Sequence, residues 1–392
     1  MINLFNKKVI LLIFLIFLSV SAVNANSTDD SVSTSPVDND NLTADSAENT
    51  VHSESSEGNF KELTGLIEDV SQNGTLELNK DYKHDSGDSD GIEITKSITI
   101  SGNGHIINGS DASGIFKISN SNIILKDIIF SNAFSGDCGA AINLNNVNCE
   151  IINCSFINNH ANNSGGAIYS SNSHINITNC TFSNNMGHGL FVQGGAIYAT
   201  YNSTVNAANT KFYHNIADCG GAIFAFNFTD LNIDHCDFFE NIANYYGGSI
   251  YSDSVINISY SNFYSNKAKL KGGAIHSSNS PYFCNDCLMV NNSKFYNNSA
   301  EWGGAVLCSN IGNNLIYNST FVSNHAVCGA VYSRTSINNV SIINSSCFDN
   351  EAVNGTIIYA PSCGEIILKN GNFTNNDGDY GVLIYTVQGR FK

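Results

Sequence analysis

The sequence predicts an all-β fold, a parallel β-helix of about 12 coils that begins behind a short capping helix. Three observations carry that prediction. A Gly-Gly-Ala-Ile phrase starts at Gly165 and recurs, with small changes, at Gly194, Gly220, Gly247, Gly272 and Gly303, at intervals of 25 to 31 residues. Weaker copies stand at Gly139, Gly329, Gly355 and Gly381. A Phe-x-x-Asn phrase lies between them, at Phe156, Phe182, Phe212, Phe238, Phe263, Phe295, Phe321 and Phe373, with Cys347 in the Phe place once. Upstream of each Phe comes an alternating run such as Ile175-Asn176-Ile177 or Val255-Ile256-Asn257-Ile258, a period-two strand signal with no helical periodicity beside it. A unit of two or three short strands at this spacing fills one coil and is too short for a propeller blade of ~40 to 45 residues.

In chain order, Lys7 and Lys8 precede an apolar run from Val9 to Val20, and Val23-Asn24-Ala25 offers a small-residue cleavage site. Residues 1–25 therefore read as a secretory signal peptide. The run falls short of the ~20 residues a membrane span needs, so the mature chain is expected to have no transmembrane segment. Residues 26–58 are Ser, Asp, Asn, Thr and Glu with almost nothing apolar, a disordered acidic spacer that cannot bury enough surface to offset ordering. Residues 59–130 form the cap and opening coils. Phe60, Leu63, Leu66, Ile67 and Val70 fall on one face of a short helix that covers the open edge of the first coil, and Ile98-Thr99-Ile100 and Ile123-Ile124-Leu125 are strands. Residues 131–392 are the repeat array, which reaches Lys392 without a second cap.

Stacking explains the residue choices. Gly and Asn tolerate the left-handed backbone of a sharp corner, so Gly-Gly and Asn-Asn mark the corners. In-register coils then align like residues: an aliphatic column from the Ile or Val after Gly-Gly-Ala, an aromatic column from the Phe residues, and an amide ladder from the corner Asn residues. At ~4.8 Å per coil the rod is about 60 Å long.

The chain has 392 residues, a formal charge of -17 and only 13% charged residues. Arg334 and Arg390 are its only arginines, which leaves no basic surface for phosphates and argues against nucleic acid as a partner. Enzyme chemistry is weakly supported. Gly187-His188-Gly189 matches a polygalacturonase signature and Arg390-Phe391-Lys392 loosely imitates its later partner, but seven or eight coils separate them. No coil offers a carboxylate pair at the ~5 to 9.5 Å that glycoside hydrolysis needs, and Arg334 has no acidic neighbourhood in which to serve a lyase.

Twelve cysteines in an exported chain point to disulfides or buried small residues. Cys154 and Cys180 each lie two residues before the repeat Phe on adjacent coils, within disulfide reach, and a bridge there stands evenly against a reduced stack. Cys284, Cys287, His276 and Cys308 offer four donors for zinc, although a local disulfide or an ordinary loop is the simpler reading. Asp85, Asp88, Asp90 and Glu93 make an oxygen-rich turn without the closing acid of a calcium loop. No cofactor or metal is expected. If each repeat Ile faces inward, the next residue faces out, giving a column of Tyr169, Tyr198, Phe224, Tyr251, His276, Leu307, Tyr332, Tyr359 and Tyr385. Its aromatics are the candidate ligand-binding face, able to stack on sugar rings, and their bland role is to cover one another. About 18 Asn-x-Ser/Thr sites invite glycosylation, most of them supplied by composition alone.

The paired Gly-Gly-Ala-Ile and Phe-x-x-Asn motifs closely resemble the repeats of chlamydial polymorphic outer-membrane proteins. With the signal peptide and acidic Asn-rich spacer, the chain looks still more like the adhesin-like surface proteins of methanogenic archaea. The resemblance covers about 260 residues by motif. It implies a right-handed parallel β-helix, of the pectate-lyase-like kind, at the cell surface. It also implies adhesion to glycans or proteins of another cell, with no catalytic residue. No membrane barrel or wall anchor follows the repeats in this sequence. The expected function is that of a secreted, non-enzymatic adhesin. A structural coat or spacer without a ligand is the first alternative, and a polysaccharide lyase or hydrolase the second.

Overall fold

A computed structural model describes residues 57–278, 286–309, 312–334 and 339–391 of the chain. The signal peptide and nearly all of the spacer lie outside the described residues, and so does Cys284. Gly58, assigned above to the spacer's end, is already the first strand residue and pairs with Tyr82.

A complete coil passes through four parallel sheets. The coil around Phe182 shows the order: Thr181–Ser183 in sheet 1, Met186–Gly187 in sheet 2, Ile197–Thr200 in sheet 3 and Thr204–Ala208 in sheet 4. Among the described residues these sheets hold 13, 9, 12 and 13 strands, so the chain winds as a parallel β-solenoid of about 12 turns. One helix, α1 (Phe60–Asp69), stands at the N-terminal end with Phe60, Leu63 and Ile67 buried, Leu66 and Val70 packed beside them, and Asn59 Oδ1 accepting the Glu62 N–H at 2.9 Å as N-cap. The helix covers a strand edge that would otherwise offer unpaired backbone groups.

Identical residues align because the coils are in register. The rings of Phe130, Phe156, Phe182, Phe212, Phe238, Phe263, Phe295 and Phe321 stack with centroids 4.5 to 4.9 Å apart and planes within 13°. The amide ladder is also present. Asn159, Asn185, Asn215, Asn241, Asn266, Asn298, Asn324 and Asn350 are all buried, and each Nδ2 donates to Oδ1 of the Asn on the next coil at 2.9 to 3.1 Å. The residue before each ladder Asn takes the left-handed corner, as Asn158 (φ 55) and Asn184 (φ 54) show, so the two members of an Asn-Asn pair have different tasks.

The two repeat glycines differ as well. The first has positive φ, +66° at Gly165 and +68° at Gly329, while the second lies where a Cβ would meet the next coil, 2.1 Å from Gly248 O in the case of Gly221. This distinction corrects one expectation. Gly329 is a first glycine, so Ala330 and Val331 occupy the next two positions and Tyr332 takes the inward Ile place, paired with Val306 and fully buried. Ser333, not Tyr332, holds the outward position opposite Leu307.

Candidate functional site

The predicted aromatic column exists in register but does not form an open platform. Tyr169, Tyr198, Phe224, Tyr251, His276, Leu307, Ser333, Tyr359 and Tyr385 follow one another across sheet 3. Rings touch from Tyr169 to Tyr198 (5.5 Å), to Phe224 (5.5 Å), to Tyr251 (4.5 Å) and to His276 (5.1 Å), then stop at the buried Leu307 and Ser333 before Tyr359 and Tyr385 stack at 5.1 Å. Phe224 is buried, and Tyr169, Tyr198, Tyr251, Tyr359 and Tyr385 are half-buried. Part of the cover comes from large residues that stand just before a first glycine and fold over the column: Tyr246 lies 6.5 Å from Tyr251 and Trp302 5.5 Å from Tyr359. Burial accordingly pushes the phenols of Tyr169, Tyr198 and Tyr251 up.

Among the exposed rings of the described residues, which include Phe191 and Tyr260, three cluster a few positions further on, at the corner between sheets 3 and 4. Tyr201 is 57% exposed, Phe226 41% and Phe228 46%, on two adjacent coils, and Phe226 packs against Phe224 at 5.9 Å. Tyr201 (φ 52) and Phe228 (φ 65) sit in the left-handed region, where Asn or Gly is at ease and a bulky ring is strained. The backbone that holds them is well bonded. Asn202 N donates to Asn227 O at 3.1 Å, Asn227 N to the buried Asp253 Oδ1 at 3.0 Å, and Thr229 Oγ1 to Phe226 O at 2.7 Å. Other coils turn the same corner with small polar residues, Asn172-Ser173 on one and Asp253-Ser254 on another. The sequence reading missed this rim, although aromatic residues where neighbouring coils use Asn, Asp and Ser were a visible signal.

The cysteines are structural in their placement. Cys154 and Cys180 face along the rod as free thiols, and no bridge joins them. The reason is the ladder they belong to. Cys154 N donates to Cys180 Sγ at 3.4 Å, and the same bond is made to Thr210 Oγ1 by Cys180 N and to Ser261, Ser293, Ser319 and Ser345 Oγ further along. Each Cys thus stands in for a Ser or Thr in a hydroxyl ladder, its sulfur turned toward backbone groups. The contact with Cys180, together with burial, pushes the Cys154 thiol up. Among the partly exposed thiols, burial raises Cys138 to about 11 and Cys219 to about 12, so neither is an activated nucleophile near neutral pH.

The remaining constellations separate. His276 is buried on the outward column, while Cys308 faces inward opposite Ser277, and Cys287 is disulfide-bonded, so these donors do not assemble into a zinc set. No group of three or more metal-ligating side chains occurs among the described residues. In the acidic turn, Asp88 accepts the N–H groups of Phe60, Lys61 and Asp85 at 2.9 to 3.1 Å. Burial alone would raise its carboxyl, but these bonds carry it below its usual range, and the group anchors the start of α1. His188 is in ring contact with His160 at 5.4 Å, and Arg390 lies in sheet 4, seven strands beyond the Thr204–Ala208 strand that follows His188. Arg334 is fully buried, donating to Asn339 O at 2.7 Å and Gly312 O at 3.3 Å, a position from which it holds main chain and does not face a substrate.

One family pattern matches the chain: the Chlamydia polymorphic membrane protein repeat, over residues 153–171. That span runs from the left-handed corner at Asn153 through Phe156 and Asn159 to the strand Ile168–Ser171. It is shorter than one coil, so it identifies the repeat and not the protein around it. No curated protein and no solved structure matches the chain. No helix among the described residues is long and apolar enough to cross a membrane.

Proposed function

We propose that the chain is a secreted or cell-surface adhesin-like rod, non-enzymatic, that attaches to cells or glycans through side chains displayed at the corners of its coils. The repeat matched at residues 153–171 belongs to a family named for membrane proteins and so suggests a surface location. The observation that carries the reading is the rim of Tyr201, Phe226 and Phe228. Two of these three large rings are held exposed in a backbone region that costs on the order of 1 kcal/mol or more each for such residues. Nothing in the stacking of the coils requires them there, because neighbouring coils turn the same corner with Asn, Asp and Ser. Exposed aromatic rings supply large contact area with little side-chain entropy to lose, and they stack on the apolar faces of sugars or on partner side chains. The non-enzymatic reading is supported by the scattered placement of His188, Arg334 and the raised thiols.

The test is a glycan array and a cell-attachment assay with the whole chain and with a Tyr201→Asn, Phe226→Ser, Phe228→Asn variant. The variant is expected to lose attachment at least tenfold while its melting temperature holds or rises, since Asn relieves the left-handed strain. Unchanged attachment by a variant that remains folded would remove the rim from the site.

A further inference from the structure

A second surface feature lies on sheet 2, on a different face from the rim. Ile242–Tyr246, Lys267–Ala268, Ser299–Trp302 and His325–Cys328 are successive strands there. Ile242 pairs with Lys267, Lys267 with Ser299, and Ser299 with His325. Ala243, Ala268 and Ala326 point inward and are buried, which holds this sheet close to the body. The outward residues Ile242, Lys267, Lys269, Ser299, His325 and Val327 line an open groove of ≈ 650 Å³ along the rod axis, with the short Ser299 between longer neighbours.

The charge of this groove opposes that of the chain. The sequence carries -17 overall, yet Lys267, Lys269 and Lys271 place three of its 17 basic residues within five positions. Lys267 and Lys269 are exposed and make no ion pair among the described residues, while Lys271 lies 5.7 Å over the Tyr246 ring. Glu301 is the carboxylate of the lining, and its Oε1 accepts the Trp302 indole N–H at 3.2 Å. His325 Nδ1 lies 3.5 Å from Glu351 Oε2 at the far edge.

We propose that this groove binds an anionic polysaccharide, a chain of pyranose rings bearing carboxylate or sulfate groups, laid along the rod. The apolar side chains of Ile242, Val327 and the half-buried Ala300 receive the C–H faces of the rings, and Lys267 and Lys269 take the anionic groups. A coil rises ~4.8 Å, close to the length of one pyranose, so successive coils meet successive sugars. An extended peptide presents same-face side chains every ~6.7 Å and falls out of step. The acidic remainder of the rod repels a polyanion and so confines it to this site.

Binding of the whole chain is measured against polygalacturonate, dextran sulfate, uncharged dextran and poly-glutamate at low and physiological salt. Carboxylated or sulfated polymer is expected to bind and to weaken with salt, and dextran is not expected to bind. The ratio of the two anionic polymers identifies the preferred anion. Lys267→Ser with Lys269→Ser should weaken binding at least tenfold without moving the melting temperature, and Glu301→Gln should strengthen it a few-fold. The rim variant should bind these polymers as the parent does. Absence of binding, equal binding of poly-glutamate, or binding unchanged in the lysine variant would overturn the proposal.

Discussion

Replacing Asn241 by Asp gives the sharpest test of what holds the coils together. Asn241 is fully buried. Its Oδ1 accepts Asn215 N at 3.1 Å and Asn215 Nδ2 at 3.0 Å, and its Nδ2 donates to Asn266 Oδ1 at 3.1 Å and Phe212 O at 2.8 Å. Asp has the same shape but turns the donating nitrogen into an oxygen that faces two acceptors. The folded chain can accommodate it only with a proton, which restores one of the two donated bonds, so its folded pKa is raised above the unfolded value of ~3.9. A raised carboxyl contributes stability that is present below the unfolded pKa and lost as pH rises. The variant should therefore lose about 1 kcal/mol at pH 4, for the bond not restored, and roughly 4 kcal/mol more at pH 7, from about 1.4 kcal/mol per unit over some three units. Asn241→Leu is the control, leaving Asn215 N and Nδ2 without an acceptor for a pH-independent cost of about 2 to 6 kcal/mol. Urea unfolding of the whole chain at both pH values, each compared with the parent, reads these differences. An Asp variant with the same loss at pH 4 and pH 7 would refute the dry, donor-directed ladder.

Two further tests probe neighbouring columns. Burial, and then the charge of Lys271, pushes His276 down to about 3, below its unfolded value of ~6.5, so its stability contribution is complete above pH 6.5 and is lost on acidification at about 1.4 kcal/mol per unit. His276→Leu, which copies Leu307 on the next coil, should flatten the melting-temperature profile between pH 6.5 and 4, and parallel profiles would count against the assignment. Cys180→Ser should change stability by less than about 1 kcal/mol because serine already fills this ladder elsewhere, whereas Cys180→Val should cost about 1 to 3 kcal/mol by orphaning Cys154 N. Equal melting of the two variants would show that the sulfur accepts nothing of consequence.

The solenoid was legible because repetition turns weak local signals into a column: one Phe-x-x-Asn says little, but eight at a common spacing fix the strand, the corner and the buried amide together. The outward column is legible from the sequence, but its surroundings are not. Period-two alternation sends Tyr251 and Tyr359 away from the core, but it does not reveal that Tyr246 and Trp302 fold back over them, since that cover comes from a different corner of the coil. Tyr332 is ambiguous in the sequence because a single glycine aligns as either member of a pair, and the positive φ at Gly329 and the pairing of Tyr332 with Val306 make it the first. Cysteine chemistry in general suggests bridges or buried thiols, and the ladder that gives Cys154 and Cys180 their role appears only when they are set beside Thr210 and Ser261 on later coils.

These cases share a physical cause that also tells where function can reside. Inside the rod, each coil supplies the hydrogen-bond and packing partner of the next, so a departure such as Arg334 among inward residues must be met by main-chain carbonyls at once. Outside, water supplies the missing partner, and an outward position can change on one coil without consequence for its neighbours. Both recognition sites proposed above accordingly rest on breaks in the repeat that stacking does not demand: Tyr201 and Phe228 at a corner that Asn or Ser turns with less strain, and Lys267 and Lys269 on an acidic rod. A residue that obeys the period is already explained by the fold, and one that violates it on the surface is where a ligand has to be sought.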